Sequence, residues 1–69
     1  MAMETFAIND RVRYNGHVAQ YVGRTGTVVS TPFVNQYDMT LVQIEFDDAI
    51  VKGMTSVILV ANLEKIENA

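Results

Sequence analysis

Few residues in this chain have the chemical capacity for catalysis. His17 is its single histidine, there is no cysteine, and Ser30 and Ser56 are the only serines. A serine nucleophile needs a histidine within reach and a third group to orient that histidine. No spacing here assembles such a set, and His17 sits in a stretch that reads as a solvated loop. Glu45, Asp47 and Asp48 form a small carboxylate cluster, yet adjacent carboxylates at a strand end point apart, so a polar turn is the simpler reading than a cation site. A metal centre needs three or four converging ligands, and none is visible. Gly23-Arg24-Thr25-Gly26 lacks the lysine and the following helix of a phosphate loop. The expectation is a chain without enzymatic activity, cofactor, metal or small-molecule substrate.

What remains is binding. Arg11, Arg13 and Arg24 outweigh Glu4 and Asp10, leaving +1 for residues 1–30. Lys52 and Lys65 face Asp38, Glu45, Asp47, Asp48, Glu64 and Glu67, leaving −4 for residues 31–69, within a net charge of −3. If nucleic acid is the ligand, Arg11, Arg13, His17 and Arg24 are the residues to contact phosphates, with an aromatic residue stacked on a base. If a protein is the ligand, aromatic and flexible apolar side chains in the loops should anchor it. Tyr21, Phe33, Val34, Tyr37 and Met54 are the candidates, and the acidic balance favours them. A third reading is a small acidic inhibitor, encoded by a virus or mobile element, that presents Glu45, Asp47 and Asp48 to a basic surface.

These residues need a scaffold. Sixty-nine residues, of which 49% are hydrophobic, allow one domain with a compact core, taken as residues 1–69 with 1–5 as a loose arm. No apolar run approaches the length of a membrane span, and the first residues have neither the basic region nor the apolar core of a signal peptide. No membrane insertion is expected, and cytoplasmic residence is the default.

Val12 and Tyr14 alternate with Arg11 and Arg13, so the period of two predicts a first strand at Arg11 to Tyr14, with the arginines outward. Asn15 to Arg24 reads as a long loop with Val18, Tyr21 or Val22 tucked inward. The second strand runs from Gly26 to Ser30 or Thr31 and is ended by Pro32. Gly23 and Gly26 read as structural, for positive φ or for close approach to a neighbouring strand. Pro32 to Asp38 is expected to be a loop and Thr40 to Phe46 a strand. Asp47-Asp48 marks a turn, and Ser56 to Val60 a further strand. A single 3-10 turn at Ala61 to Glu64 then leads into a short fifth strand, Lys65 to Glu67. The expected core is Ile8, Val12, Val28, Val42, Ile44, Phe46, Ile58, Val60, Leu63 and Ile66. The fold class is all-β, a small five-stranded SH3-like barrel.

Four runs carry a family resemblance: Ile8-Asn9-Asp10-Arg11-Val12-Arg13; Gly23-Arg24-Thr25-Gly26-Thr27-Val28-Val29; Val42-Gln43-Ile44-Glu45-Phe46-Asp47; and Leu63-Glu64-Lys65-Ile66. Together they resemble the KOW type of SH3-like barrel, with Gly23, Gly26 and Val28 as the most specific element. The resemblance implies a non-catalytic module that contacts RNA or proteins in transcription or translation. In size and strand grammar the chain is also similar to the small SH3-like accessory subunits of photosynthetic electron-transfer complexes, such as the peripheral subunit of photosystem I. That likeness implies docking on a larger assembly. The chain departs from nucleic-acid-binding members in its acidity and in a Pro32–Asp38 loop without lysine or arginine. A protein partner or multiprotein complex is therefore the leading expectation and RNA or DNA the alternative.

Overall fold

The computed structural model describes residues 5–66. Six short strands and one 3-10 turn follow in order: β1 Arg11–Tyr14, β2 Thr25–Val28, β3 Phe33–Val34, β4 Thr40–Phe46, β5 Ser56–Leu59, the 3-10 turn Val60–Asn62, and β6 Leu63–Ile66. All pairings are antiparallel. β1 lies between β2 and β6; β4 pairs with β2 and β3 along one edge and with β5 along the other. Among the described residues there is no α-helix, and no helix long and apolar enough to cross a membrane.

The sheet has one buried face. Val12, Val28, Val42 and Ile44 are completely buried, joined by Phe6, Tyr14, Phe46, Ile58 and Leu63. The even positions of β4 supply three of these, as strict alternation requires. Gly26 lets β2 and β4 pack closely. A Cβ there would lie 2.6 Å from the Glu45 carbonyl oxygen and 3.0 Å from the Phe46 Cα, so only hydrogen fits. Gly23 closes the preceding loop at φ +83°, a conformation that disfavours any side chain.

Several expectations are corrected. Among the described residues the sheet has six strands and is not closed, because no ladder joins β5 to β6; the chain links those two through the 3-10 turn instead. The sixth strand lies in the stretch expected to be loop. Phe33–Val34 pairs with Leu41 and Thr40, and the Asn35 Oδ1 accepts the Tyr37 and Met39 amides to hold the turn between them. β2 ends at Val28. The Val29 amide still donates to the Gln43 carbonyl, but the Gln43 amide then turns to the Ser30 hydroxyl, and the ladder stops.

β5 ends one residue early and the 3-10 turn begins at Val60, which brings β6 forward to Leu63. Val60 is consequently only partly buried. Ile66 pairs with Arg11 on the outward face and is not core. Ile8 is 51% exposed because it sits at the corner of the Ala7–Asp10 turn, whose next residue, Asn9, has φ 80°. Phe6 and Tyr14 fill the core instead. Of the alternatives Val18, Tyr21 or Val22 for the residue tucked inward from the first loop, Tyr21 is the one that packs against the core, and Val18 and Val22 are exposed. Residues 1–4 of the loose arm expected at residues 1–5, and the placement of Glu67, lie outside the described residues.

Candidate functional site

β1 carries Arg11 and Arg13 on the outward side of the sheet, as alternation dictates, while Arg24, just before β2, has the parity of Gly26 and Val28 and lies over the Phe46 and Tyr21 rings; each arginine meets a carboxylate of its own chain. Arg11 makes a bidentate pair with Asp47, at 2.7 and 2.6 Å, and also donates to the Thr27 hydroxyl at 2.9 Å. Thr25 Oγ1 donates to the same Asp47 carboxylate at 2.6 Å. Arg24 grips Asp48 through Nε and Nη2, at 3.0 and 2.7 Å, and Arg13 reaches Glu64 at 3.3 Å. The Arg11 guanidinium, helped by the Thr25 hydroxyl, pulls the Asp47 carboxyl down to about 2, and the same pair raises Arg11. Asp10 is lowered chiefly by the Ala7 amide, which donates to its carboxylate at 2.8 Å, with Lys65 adding to the effect at 3.3 Å. Glu45 accepts the Gly53 amide at 2.7 Å.

Asp47 and Asp48 of the carboxylate cluster are therefore the ion-pair partners of Arg11 and Arg24, while Glu64 holds Arg13 and Glu45 accepts a backbone amide. Neither the arginines nor the carboxylate cluster presents a field of one sign. The guanidinium group of Arg24 is further committed: it lies 4.2 Å from the Phe46 ring centroid. Phe46 stacks on Tyr21 with ring centroids 5.4 Å apart, and Tyr21 meets Tyr14 edge-on at 5.6 Å. Tyr21 thus roots the Asn15–Arg24 loop on the core. His17 is exposed in that loop. Among the described residues no three His, Cys, Asp or Glu side chains converge on a point that could hold a metal ion.

The other candidates fall into two places. Phe33 projects from the outward face, where register sets it beside Leu41 and, across β4, Leu59. Val29 and Val57 flank Gln43 in the next row. Both rows lack charge. Val34 and Tyr37 extend this end of the sheet, at 60% and 69% exposure. Met54 lies elsewhere, in a cleft of about 390 Å³ that it shares with Tyr21, Phe46, Ile50 and Ser56, with Arg24 and Asp48 also in its wall. Sequence reasoning missed Leu41, Leu59 and Val57 as surface residues, although their odd parity opposite Val42, Ile44 and Ile58 carried the signal.

No family model, curated protein or solved structure matches this chain.

Proposed function

We propose that this chain is a non-catalytic docking module for a protein partner or larger complex, acting as an accessory or regulatory subunit. The observation that carries this reading is the division of the outward face. Arg11 and Arg13 on this face, and Arg24 beside it, are all held in ion pairs within the chain, while the far end of the face is uncharged and carries exposed Val29, Phe33 and Val57. Phosphate binding would require Arg11, Arg13 and Arg24 to leave carboxylates that already hold them, against a net charge of −3. Apolar rows with an aromatic residue at the rim are what the centre of a protein interface uses.

The strand order β6-β1-β2-β4-β5, the long loop after β1 and the 3-10 turn before the last strand support an SH3-like reading of this sheet. The close approach at Gly26 and the positive φ at Gly23 support the KOW-type likeness. Both readings are of architecture, and function follows from the surface.

The test pairs two measurements. Affinity capture from nuclease-treated source lysate should retain a protein with the wild-type chain and lose it with the double variant Phe33→Ala, Tyr37→Ala. Single-stranded RNA and duplex DNA should not bind at low salt. A salt-sensitive complex with either, abolished by Arg11→Glu, Arg13→Glu and Arg24→Glu together, would establish the nucleic-acid alternative instead.

A further inference from the structure

An open sheet has free edges, and each is a row of backbone donors and acceptors that can template another strand unless something blunts it. This sheet has three. On β3, the Asn35 amide donates to Met39, so Asn35 and Phe33 bond toward β4 and Pro32 and Val34 face away. Pro32 has no N–H, which leaves Val34 as the one donor on a two-residue strand. On β6, the Asn15 amide donates to the Asn62 carbonyl, so Glu64 and Ile66 bond toward β1 and Leu63 and Lys65 face away. The Leu63 amide is taken by the Val60 carbonyl. Lys65 stands opposite core-facing Val12 and pairs with Asp10, so that edge carries an inward-pointing charge. Both edges are blunted by the devices natural sheets use.

The edge of β5 has no such protection. The Val29 and Asp47 amides donate to Gln43 and Thr25, which assigns the odd residues of β4 to β2 and its even residues to β5. Ser56 and Ile58 therefore bond to Ile44 and Val42, while the N–H groups of Val57 and Leu59 and the Val57 carbonyl point away from the sheet. Among the described residues β5 pairs with no other strand, and no loop backbone reaches Val57, which is 51% exposed. Ser-Val-Ile-Leu contains neither proline nor charge, and its β-branched residues favour pairing. The cleft lined by Tyr21, Phe46, Met54 and Ser56 opens on the core-facing side of this same edge.

We infer that β5 is a strand-addition site: an extended, uncharged segment of a partner protein pairs with Val57 and Leu59 and sets one apolar side chain into the cleft beside Tyr21, Phe46 and Met54. Main-chain bonds supply the register and the cleft supplies selectivity, because alternate side chains of an added strand face the same side as Ser56 and Ile58. A second copy of this chain fits less well. The residues its own β5 would offer to the cleft are Ser56 and Ile58, and Ile58 is committed to its core at 7% exposure. The inference rests on the reading of the chain as a protein-docking module, but it uses the backbone edge of β5, across β4 from Phe33 and away from Tyr37.

The experiment is amide exchange and chemical-shift mapping on the full ¹⁵N-labelled chain. The probes are capped heptapeptides Lys-Thr-X-Thr-Val-Thr-Lys, with X as Phe, Leu, Met or Asp, each also made with N-methyl groups on alternate amides. With X apolar at millimolar concentration, exchange at Val57 and Leu59 should slow roughly tenfold or more. The Asp peptide and the N-methylated peptides should have no effect. Val57→Pro removes the outward donor without removing a bond to β4, and Val57→Lys places a charge on the edge; both should abolish the protection. The inference is overturned if no peptide slows exchange, if N-methylation is tolerated, or if the shifts centre on Phe33 and Tyr37. It is equally overturned if Val57 is protected without peptide, whether at every protein concentration or increasingly with concentration as a second copy would cause. Any of these results leaves the docking function itself to the capture experiment, which reads Phe33 and Tyr37.

Discussion

The two ends of the outward sheet face obey different rules. At one end Arg11, Thr25, Thr27 and Asp47 form a closed set of hydrogen bonds, flanked by Arg24–Asp48 and Arg13–Glu64. At the other, Val29, Phe33 and Val57 are exposed to water, with half-buried Leu41 and Leu59 beside them. The charged end ties β1, β2 and the start of the β4–β5 loop together, so its residues have partners and contribute to the fold. The exposed groups of the apolar end contribute less to folding than the core does, since Val29, Phe33 and Val57 keep 36%, 40% and 51% of their surface in water. Charge at the first end is therefore a structural device, whereas the exposed apolar groups at the other are not tied into the fold by polar contacts. Salt, pH and substitution should separate the two ends.

The largest effect lies beneath the charged end, at the glycine on which it is built. Gly26→Val places a side chain against the Glu45 carbonyl and the Phe46 Cα, where backbone must move. Stability should fall by about 3 kcal/mol, measured by urea denaturation of the wild type and variant. A variant that melts with the wild type would show that β2 and β4 can separate freely, and the ion pairs above them would lose their frame.

Next in size is the Arg11–Asp47 pair. Arg11→Ala leaves Asp47 with only the Thr25 hydroxyl, and Asp47→Ala frees Arg11 to Thr27 alone. Both groups are partly exposed, at 28% and 46% of their side chains, so each single change should cost on the order of 1 kcal/mol and the double-mutant coupling should be smaller still. Added salt should erode the coupling. The pH dependence follows from the depressed Asp47 carboxyl. A group whose pKa is lower folded than unfolded stabilises the fold above its unfolded value and loses that contribution as pH falls through the folded one. Stability should thus decline between about 3.8 and about 2, and Asp47→Asn should flatten that part of the curve.

The charged end was half legible in the sequence. Alternation in Arg11–Tyr14 placed both arginines outward, and Thr40–Phe46 was recovered with its core residues, because a period of two leaves little freedom. The pairing of Arg11 with Asp47 and Arg24 with Asp48 was not legible, since residues 36 and 24 positions apart meet only through the register of β1, β2 and β4. That long-range fact turned a candidate phosphate-binding edge into a set of internal ion pairs. The strand at Phe33–Val34 escaped because two residues have no period, and the placement of Ile8 because one positive φ at Asn9 interrupts the alternation. Tyr37 and Met54, candidates on composition, are exposed, but it is register that brings Leu41, Leu59 and Val57 to the face that Phe33 occupies.

The smallest expected effect is the sharpest for the comparison. Val57, at the apolar end, is 51% exposed and Ile50, in the β4–β5 loop beside the charged end, is 96% exposed; neither takes part in the ion pairs. Val57→Thr keeps the branched shape that a strand prefers, and Ile50→Ser removes a side chain that buries almost nothing. The double variant should unfold within about 0.5 kcal/mol of the wild type, a melting shift of roughly 2–4 °C at most for a domain of this size, and its response to salt and pH should be unchanged. A loss comparable to that of Arg11→Ala would mean that these side chains do support the fold, and the contrast between the two ends would fail. A neutral result leaves Ile50 and Val57 as apolar groups held in water that folding does not use, which is the property a docking surface must have before its partner arrives.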